Sequence, residues 1–230
     1  MIAVVDYGAG NLRSISRALG SHGAEVVISS DPEIIGSAGA VVLPGVGNAG
    51  HAMETLDRLG LINPLRDVAR RGSPLVGICL GMQLLFGHQE EGGVSGLAFL
   101  PGRVRRLSGP VKVPHMGWNR SRVVRDGPYG DAGDERDYYF VHSYVVEPEN
   151  PDDVVAETTY GETFPAIVAH DNVVGFQFHP EKSGAAGLAL LSVIAAGSAG
   201  FGLSGLDLAA LTSVVTGGAS SGAAGDPITP

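Results

Sequence analysis

The only cysteine of the chain, Cys79, lies where a buried strand pattern gives way to a helical pattern. Residues 75–78 read as the strand and residues 82–86 as the helix, so the thiol falls on the sharp turn between them. Gly77 and Gly81 allow that turn to be tight. A helix N-terminus activates a thiol and offers free N–H groups to a developing oxyanion. A lone cysteine is more often buried and inert, but this setting favours a nucleophile.

A base for this thiol is offered by the triplet His179-Pro180-Glu181, which follows the strand pattern of residues 173–178. Proline restricts the residue before it to an extended backbone, so His179 is held at the carboxyl end of that strand. Glu181 can accept a hydrogen bond from the imidazole, which fixes its tautomer and supports its charged form. We therefore expect nucleophile, base and orienting carboxylate to meet at one edge of a sheet.

The elements that must position these residues alternate along the first part of the chain. Short apolar runs predict buried strands at residues 2–5, 25–29, 40–43 and 75–78. Helical patterns separate them at residues 12–22, 49–59 and 61–71. This alternation predicts a parallel sheet with right-handed crossovers, in which ligands bind beyond the carboxyl ends of the strands.

After residue 92 the pattern changes to shorter strands separated by turn residues. We predict strands at residues 102–107, 120–125, 138–142, 154–159, 164–169 and 173–178, and a last helix at 185–196. The fold class is thus α/β, an open, largely parallel sheet with flanking helices and an added antiparallel section. Residues 1–196 form one domain. Residues 197–230 are a Gly/Ala-rich extension with a short helix at 206–215 and disorder at 217–230.

The composition excludes several classes of function. A net charge of −9 over 230 residues argues against a nucleic-acid partner, because phosphate binding needs a basic face. No apolar stretch is as long as a membrane span, and residues 1–6 lead into a strand rather than a signal peptide. One cysteine rules out an internal disulfide and suits a reducing cytosol, so we expect a cytoplasmic protein.

The motifs GICLG at residues 77–81 and HPE at residues 179–181 together resemble the class I, or triad, glutamine amidotransferases. Other blocks resemble one group within that family, the glutaminase subunits of imidazole glycerol phosphate synthases. These blocks are DYGAGNL at 6–12, PGVG at 44–47, KVPHMGWN at 112–119, YFVHSY at 139–144 and QFHPEKSG at 177–184. The likeness covers about residues 1–196, and the block at 112–119 and the Lys182-Ser-Gly extension carry the finer assignment.

The resemblance implies a reaction. The thiol would attack the side-chain amide of L-glutamine, releasing ammonia and leaving a thioester that water hydrolyses to glutamate. The oxyanion would be bound by the amide of Leu80 and by the loop at Gly45 and Val46, which this family uses as a switchable oxyanion strand. Considered alone, that glycine-containing loop suits an ordinary strand-end turn equally well.

The resemblance also implies residues that bind the substrate. Gln83 and Glu91 match positions that hold the amino-acid head group of glutamine, and a carboxylate suits its α-ammonium group. On spacing alone, Glu91 cannot be told apart from its neighbour Glu90 as the residue that binds the substrate. His142, Ser143 and Tyr144 match a segment that contacts the substrate mainly through backbone atoms.

A partner is implied because free ammonia is quickly protonated in water. The resemblance implies a cyclase subunit, a (β/α)8 barrel, that forms a heterodimer with this chain. For this chain we expect no metal and no other cofactor. Asn11, Trp118 and Lys182 match positions at or near that interface. Considered alone, Trp118 suits core packing and Lys182 suits a solvated charge.

Other interpretations remain open at this point. Gly8 and Gly10 suggest a dinucleotide-binding turn, but Arg13 stands where a third glycine belongs. A cysteine peptidase also uses cysteine and histidine, and sister amidotransferases share the elbow. The chain could also be a non-catalytic regulatory or partner-binding subunit with the same fold, although all three triad residues are present.

Overall fold

The computed structural model describes residues 1–197, which fold around two β-sheets. The helices are α1 (Leu12–Gly20), α2 (Pro32–Ser37), α3 (Ala49–Arg58), α4 (Ile62–Arg70), α5 (Leu80–Leu84) and α6 (Gly184–Gly197). The strands are β1 (Ile2–Val5), β2 (Val26–Ser29), β3 (Ala40–Gly45), β4 (Leu75–Cys79), β5 (Phe86–Gln89), β6 (Val94–Ser95), β7 (Leu100–Arg106), β8 (His115–Val123), β9 (Glu135–His142), β10 (Tyr144–Pro148), β11 (Val154–Tyr160), β12 (Glu162–His170) and β13 (Val173–Phe176).

The larger sheet has nine strands in the order β2-β1-β3-β4-β13-β12-β11-β8-β9. The first five are parallel to one another, and the remaining four continue the sheet with antiparallel pairing. The strand that ends at Cys79 therefore lies directly beside β13, the strand that leads to His179. This α/β architecture confirms the fold class that the sequence predicts.

Both faces of the parallel half are covered, which explains why its strands are apolar without alternation. Ile2 and Val4 pack into one hydrophobic cluster with α1 and α6. Ala3 and Val5 point the other way, into a second cluster with α3 and α4. Because β1, β3, β4 and β13 are buried on both faces, their carboxyl ends are the place where polar residues reach a pocket.

The antiparallel section differs from its prediction, because it divides between two sheets. Strands β8, β9, β11 and β12 extend the main sheet, whereas β7 joins β10, β5 and β6 in a separate four-stranded sheet. Three strands of this second sheet were not predicted. The strands β5 and β6 have only four and two residues, too few for a visible alternation.

Several predicted boundaries are wrong by a few residues. Helix α5 begins at Leu80 directly after the cysteine, not at residue 82, and Phe86 opens β5 instead of ending the helix. Strand β8 begins at His115, five residues before the predicted start, because residues 115–119 pair with residues 138–142 of β9. Helix α2, which Asp31 caps, was not predicted.

The predicted helix at residues 206–215 and the predicted disorder at 217–230 lie outside the described residues. Within residues 1–197, no helix is both long enough and apolar enough to cross a membrane.

Candidate active site

Cys79 occupies a strained turn. Its backbone has φ 56° and ψ −109°, a left-handed conformation that is rare for a residue with a side chain and costs on the order of 1–3 kcal/mol. The neighbouring glycines are required by close packing. A Cβ at Gly81 would collide with the carbonyl oxygen of Leu43 on β3, and one at Gly77 would lie 2.6 Å from the amide of Met82. The elbow therefore presents the thiol at the strand end with no room for larger neighbours.

His179 and Glu181 form a buried pair beside this elbow. The imidazole Nδ1 lies 3.0 Å from Oε1 of Glu181, and the two side chains are 3% and 0% exposed. The His179 amide donates to the carbonyl of Tyr139, and its own carbonyl accepts from Ser183 Oγ. These bonds fix the backbone of the triplet against β9, and the contact with Glu181 orients the ring.

The other ring nitrogen of His179, Nε2, is buried and has no hydrogen-bond partner within the described residues. Burial alone would lower the pKa of His179. Its interactions with the Cys79 sulfur and the Glu181 carboxylate outweigh burial and raise the pKa to about 9. The electrostatics thus couple thiol, imidazole and carboxylate, which is the arrangement expected from the sequence.

A cavity of about 240 Å³ opens at the elbow, and most of the predicted site residues line it. They are Val46, Cys79, Leu80, Gln83, Glu91, His142, Ser143 and Tyr144. Gly45 is buried behind the cavity, paired with Cys79 across β3 and β4. His179 and Glu181 do not line the cavity themselves. Its volume and its mixed polar lining suit a small amino acid.

The loop after β3 lies against the start of α5. A Cβ at Gly45 would collide with the hydroxyl of Tyr7 and come within 2.9 Å of Leu80 Cβ, so only glycine fits. Val46 is 46% exposed at the cavity mouth, and Gly47 has a φ of 101° that favours glycine. The predicted oxyanion residues are therefore adjacent to one another and to the thiol.

The structure distinguishes Glu91 from Glu90, which spacing in the sequence could not do. Glu91 lines the cavity, and its Oε2 accepts a 2.7 Å hydrogen bond from the amide of Ala49 at the start of α3. Glu90 is exposed and accepts instead from the amide of Arg106. Only Glu91 presents a carboxylate to the cavity.

Gln83 is held by a residue that the sequence analysis missed. Its Nε2 donates to the carbonyl of Tyr144 at 3.0 Å and to Oε1 of the fully buried Gln177 at 3.2 Å. Gln177 Nε2 in turn lies 4.0 Å from the Cys79 sulfur. A polar residue two places before the predicted base, at the end of an otherwise apolar strand, was the signal available.

A second missed residue is His115, which is buried against His142. Their ring nitrogens Nδ1 and Nε2 are 3.0 Å apart, and His142 Nδ1 is 2.9 Å from the carbonyl of Tyr144. Burial lowers the pKa of His142 to about 3, against the opposing effect of that carbonyl. Burial lowers the pKa of His115 to about 4.

The predicted interface residues lie on the surface. Trp118 is 59% exposed on β8, so it does not pack in the core, and Met116 on the same face is 63% exposed. Lys182 Nζ lies 5.9 Å from the ring centre of Tyr139, which contacts Trp118 edge-on. Asn11 precedes α1 without capping it through its side chain.

The sequence of this chain matches a known family over nearly the whole described range. Residues 3–192 match the family model described as Glutamine amidotransferase class-I. The chain belongs to this family. Within residues 1–197, no group of three or more His, Cys, Asp or Glu side chains could hold a metal ion.

Relatives share far more than the family motifs. The chain is 52% identical to a protein of Halobacterium salinarum over 83% of its own length and 90% of the relative's. It is 50% identical to one of Methanothermobacter thermautotrophicus, over 83% and 96%. Both are named imidazole glycerol phosphate synthase subunit HisH, as is a protein of Geobacillus thermodenitrificans that is 48% identical over 84% and 93%.

Solved structures support the fold. A crystal structure of a glutamine amidotransferase is similar with a TM-score of 0.68 at 20% identity, covering 85% of this chain and all of that one. The structure of PurLQS from Thermotoga maritima is similar with a TM-score of 0.65 at 18% identity, covering 84% of this chain and 96% of that one. Membership of this family sets aside the peptidase and dinucleotide-binding interpretations.

Proposed function

We propose that this protein is the glutaminase subunit, HisH, of an imidazole glycerol phosphate synthase in histidine biosynthesis. It hydrolyses L-glutamine to glutamate and ammonia and channels the ammonia to a synthase subunit. The observation that carries this proposal is the strained Cys79 beside the coupled His179–Glu181 pair, at the mouth of an amino-acid-sized cavity. The shared name of relatives at about 50% identity supports the choice of synthase.

Each residue of the triad has its own task in the reaction: Cys79 attacks, His179 transfers the proton, and Glu181 orients the ring. The thiol proton of Cys79 goes first to Nε2 of His179, and the sulfur then attacks the amide carbon of glutamine. The same imidazole passes that proton to the leaving nitrogen, so that ammonia departs and a thioester remains. The raised pKa of His179 keeps a proton on the ring until the leaving group takes it. Water then attacks the thioester to give glutamate, with Glu181 holding the ring throughout.

The oxyanion of each tetrahedral intermediate is placed at the N-terminus of α5. The amide of Leu80 directly follows the nucleophile, and the loop at Gly45 and Val46 packs against it. Backbone N–H groups at such a position stabilise developing negative charge without reorganisation of solvent.

The head group of glutamine is bound by two other residues that line the cavity, Gln83 and Glu91. The carboxylate of Glu91 attracts the α-ammonium group. Both N–H groups of Gln83 are already engaged, so its Oε1 is the atom it offers to that ammonium. Ser143, between His142 and Tyr144, supplies backbone atoms along the cavity edge.

The partner is a cyclase subunit with a (β/α)8 barrel, joined to this chain as a heterodimer in the cytoplasm. Exposed Trp118 and Met116 provide an apolar patch of the kind that interfaces bury. Lys182, beside Tyr139 and so near Trp118, supplies a charge for a cross-interface ion pair, and Asn11 is a further interface residue. The net charge of −9 agrees with a phosphorylated intermediate bound on the other subunit.

Replacing Cys79 by alanine tests the proposal in the assembled synthase. Glutamine-dependent synthesis should fall by at least about 10³-fold, because the nucleophile is lost. Synthesis from added ammonium salts should stay at the wild-type rate, since the synthase site is untouched. Alanine, like cysteine, has an unbranched Cβ and adds no bulk, so we expect the elbow to be retained.

The matched control is the wild-type protein assembled with its synthase subunit and assayed with glutamine or with ammonium salts. Glutamine hydrolysis is also measured with and without the synthase subunit. Loss of both activities, with partner binding intact, would refute the division of labour. Full glutamine-dependent synthesis by Cys79→Ala would refute the nucleophile.

A further inference from the structure

A continuous chain of hydrogen bonds runs through two buried histidines beside the cavity. His115 on β8 and His142 at the end of β9 are directly paired in the sheet and are 3% and 5% exposed. Asn119 Nδ2 lies 3.2 Å from His115 Nε2, and His115 Nδ1 lies 3.0 Å from His142 Nε2. The chain ends where His142 Nδ1 lies 2.9 Å from the carbonyl oxygen of Tyr144.

The proton positions in this chain follow from its last acceptor. A carbonyl oxygen only accepts, so Nδ1 of His142 carries a hydrogen, and in the neutral ring its Nε2 is a bare acceptor. His115 must therefore donate from Nδ1, which leaves its own Nε2 bare to accept from Asn119. Both imidazoles are fixed as the Nδ1–H tautomer.

The amide of Asn119 sets the direction of the whole chain. Its Oδ1 accepts from the amide of Arg120 at 2.8 Å, and its Nδ2 also donates to the carbonyl of Thr159 at 3.0 Å. Turning the amide over would break both of these bonds and place an acceptor against His115. The first donor is thus locked by strands β8 and β11, not by the cavity.

The far end of the chain is part of the cavity wall. The carbonyl of Tyr144 accepts from Gln83 Nε2 as well as from His142, and all three residues line the cavity. A shift of this carbonyl therefore changes where the Gln83 side chain points. His115 does not line the cavity itself, and its hydrogen bond to a lining residue is the one to His142.

We propose that His115 is a positioning residue of the glutaminase reaction: as a neutral Nδ1–H donor it holds His142 on the Tyr144 carbonyl, and so fixes the substrate-binding wall. This inference rests on the proposed function and adds a residue to it. A proton added to either ring would set two donors face to face, at 3.0 Å between the rings or at 3.2 Å against Asn119. The chain of hydrogen bonds is intact only while both rings are neutral.

A purely packing role for His115 is the competing explanation. Its ring stacks on Phe140 with centroids 4.9 Å apart and on Tyr160 with centroids 4.1 Å apart. If stacking were the whole role, phenylalanine would replace His115 better than any small polar residue. If donation to His142 is the role, asparagine is the better replacement, since its Nδ2 can occupy the place of the imidazole Nδ1.

The test compares His115→Phe and His115→Asn in the assembled synthase. His115→Phe should lower kcat/KM for glutamine about tenfold, mainly through KM, because it leaves His142 Nε2 buried and unpaired. His115→Asn should retain more activity than His115→Phe. The matched control is Tyr160→Phe, which keeps the ring on His115 and removes only a bond to the carbonyl of Lys112. It should stay within about twofold of wild type, on the order of the effect of an exposed hydrogen bond.

A second readout is independent of activity. In the full chain labelled with ¹⁵N-histidine, NMR should show His115 and His142 as the Nδ1–H tautomer. In His115→Phe, His142 should lose that fixed tautomer. The positioning role of His115 would be overturned by an Nε2–H tautomer at His142 in the wild-type protein. It would also be overturned if His115→Phe were more active than His115→Asn. Wild-type protein that fails to hydrolyse glutamine with its synthase subunit would instead overturn the proposed function, whatever the tautomers.

Discussion

Two histidine sites lie within the same polar edge of the molecule and are equally buried, yet they differ in charge at neutral pH. His179 is 2% exposed and its pKa is raised to about 9. His115 and His142 are 3% and 5% exposed, and their pKa values are lowered to about 4 and about 3. Burial alone would lower the pKa of all three.

The difference comes from what each ring nitrogen faces. Beside His179 stand a carboxylate and a thiol, which favour a proton on the ring. The other two rings face a carbonyl, each other and the N–H of an amide, a set that is satisfied only when each ring keeps one hydrogen. These surroundings fit the two proposed roles, in which His179 transfers a proton and His115 with His142 positions the cavity wall.

The largest contrast should come from making the same substitution at both sites. His179→Asn removes the base and should lower glutamine-dependent kcat by at least about 10³-fold. His115→Asn keeps a donor and should lower kcat/KM only a few-fold, on the order of one weakened hydrogen bond. Steady-state kinetics of the assembled synthase with glutamine measure both. Similar losses at the two positions would mean that the sites do not differ in role.

A smaller effect is expected when only the charge beside His179 is removed. Glu181→Gln keeps the shape of the buried side chain but takes away a cause of the raised pKa, so the pKa of His179 should fall. Glutamine-dependent kcat at neutral pH should drop about 10²-fold, because the protonated ring loses the negative charge that stabilises it. The pH dependence of kcat measures the shift.

The control for that variant is Glu90→Gln, which neutralises an exposed carboxylate bonded to the amide of Arg106. It should leave both kcat and its pH profile unchanged. An identical pH profile in Glu181→Gln and wild type would show that the carboxylate does not set the charge of His179.

The smallest effect concerns stability against pH. In the unfolded chain His115 and His142 take up protons near pH 6.5, but in the folded protein they resist protonation. Their contribution to the free energy of unfolding is therefore present above pH 6.5 and is lost as pH falls toward 4. His179 has the opposite sign, since its contribution is present below pH 6.5 and is lost as pH rises through about 9.

Urea unfolding of the full chain at about pH 7 and about pH 5 measures the loss of stability that protonation of His115 and His142 causes. The free energy of unfolding should be lower at the acid pH, with each histidine of the pair contributing on the order of 1 kcal/mol to the difference. In His115→Phe that acid loss should shrink. An equal loss in wild type and variant would contradict neutral burial of His115.

The sequence made the nucleophile and the base predictable because each lies at a break in a local pattern. Cys79 follows an apolar strand and stands between two glycines, and a proline marks His179 as the end of another strand. The parallel half of the sheet followed from the same apolar runs. Identifying the substrate-binding residues depended on the family resemblance, because nothing local distinguishes Glu91 from Glu90.

Gln177 and His115 were missed for a common reason. Each is a buried polar residue, His115 at the start of β8 and Gln177 just after β13, and its role depends on a partner that is distant in sequence, His142 for one and Gln83 for the other. Local pattern shows which positions face inward but not which positions meet. The second sheet was missed likewise, since its short strands are defined by pairing across the chain.

The packing of Gly81 against Leu43 has a consequence for anyone who wishes to redesign this enzyme. Because a side chain at residue 81 would strike β3, and one at residue 45 would strike α5, the two segments constrain each other in both directions. Screening substitutions at one of these positions at a time will keep returning glycine. New chemistry at the thiol has to be sought by varying both segments in the same library.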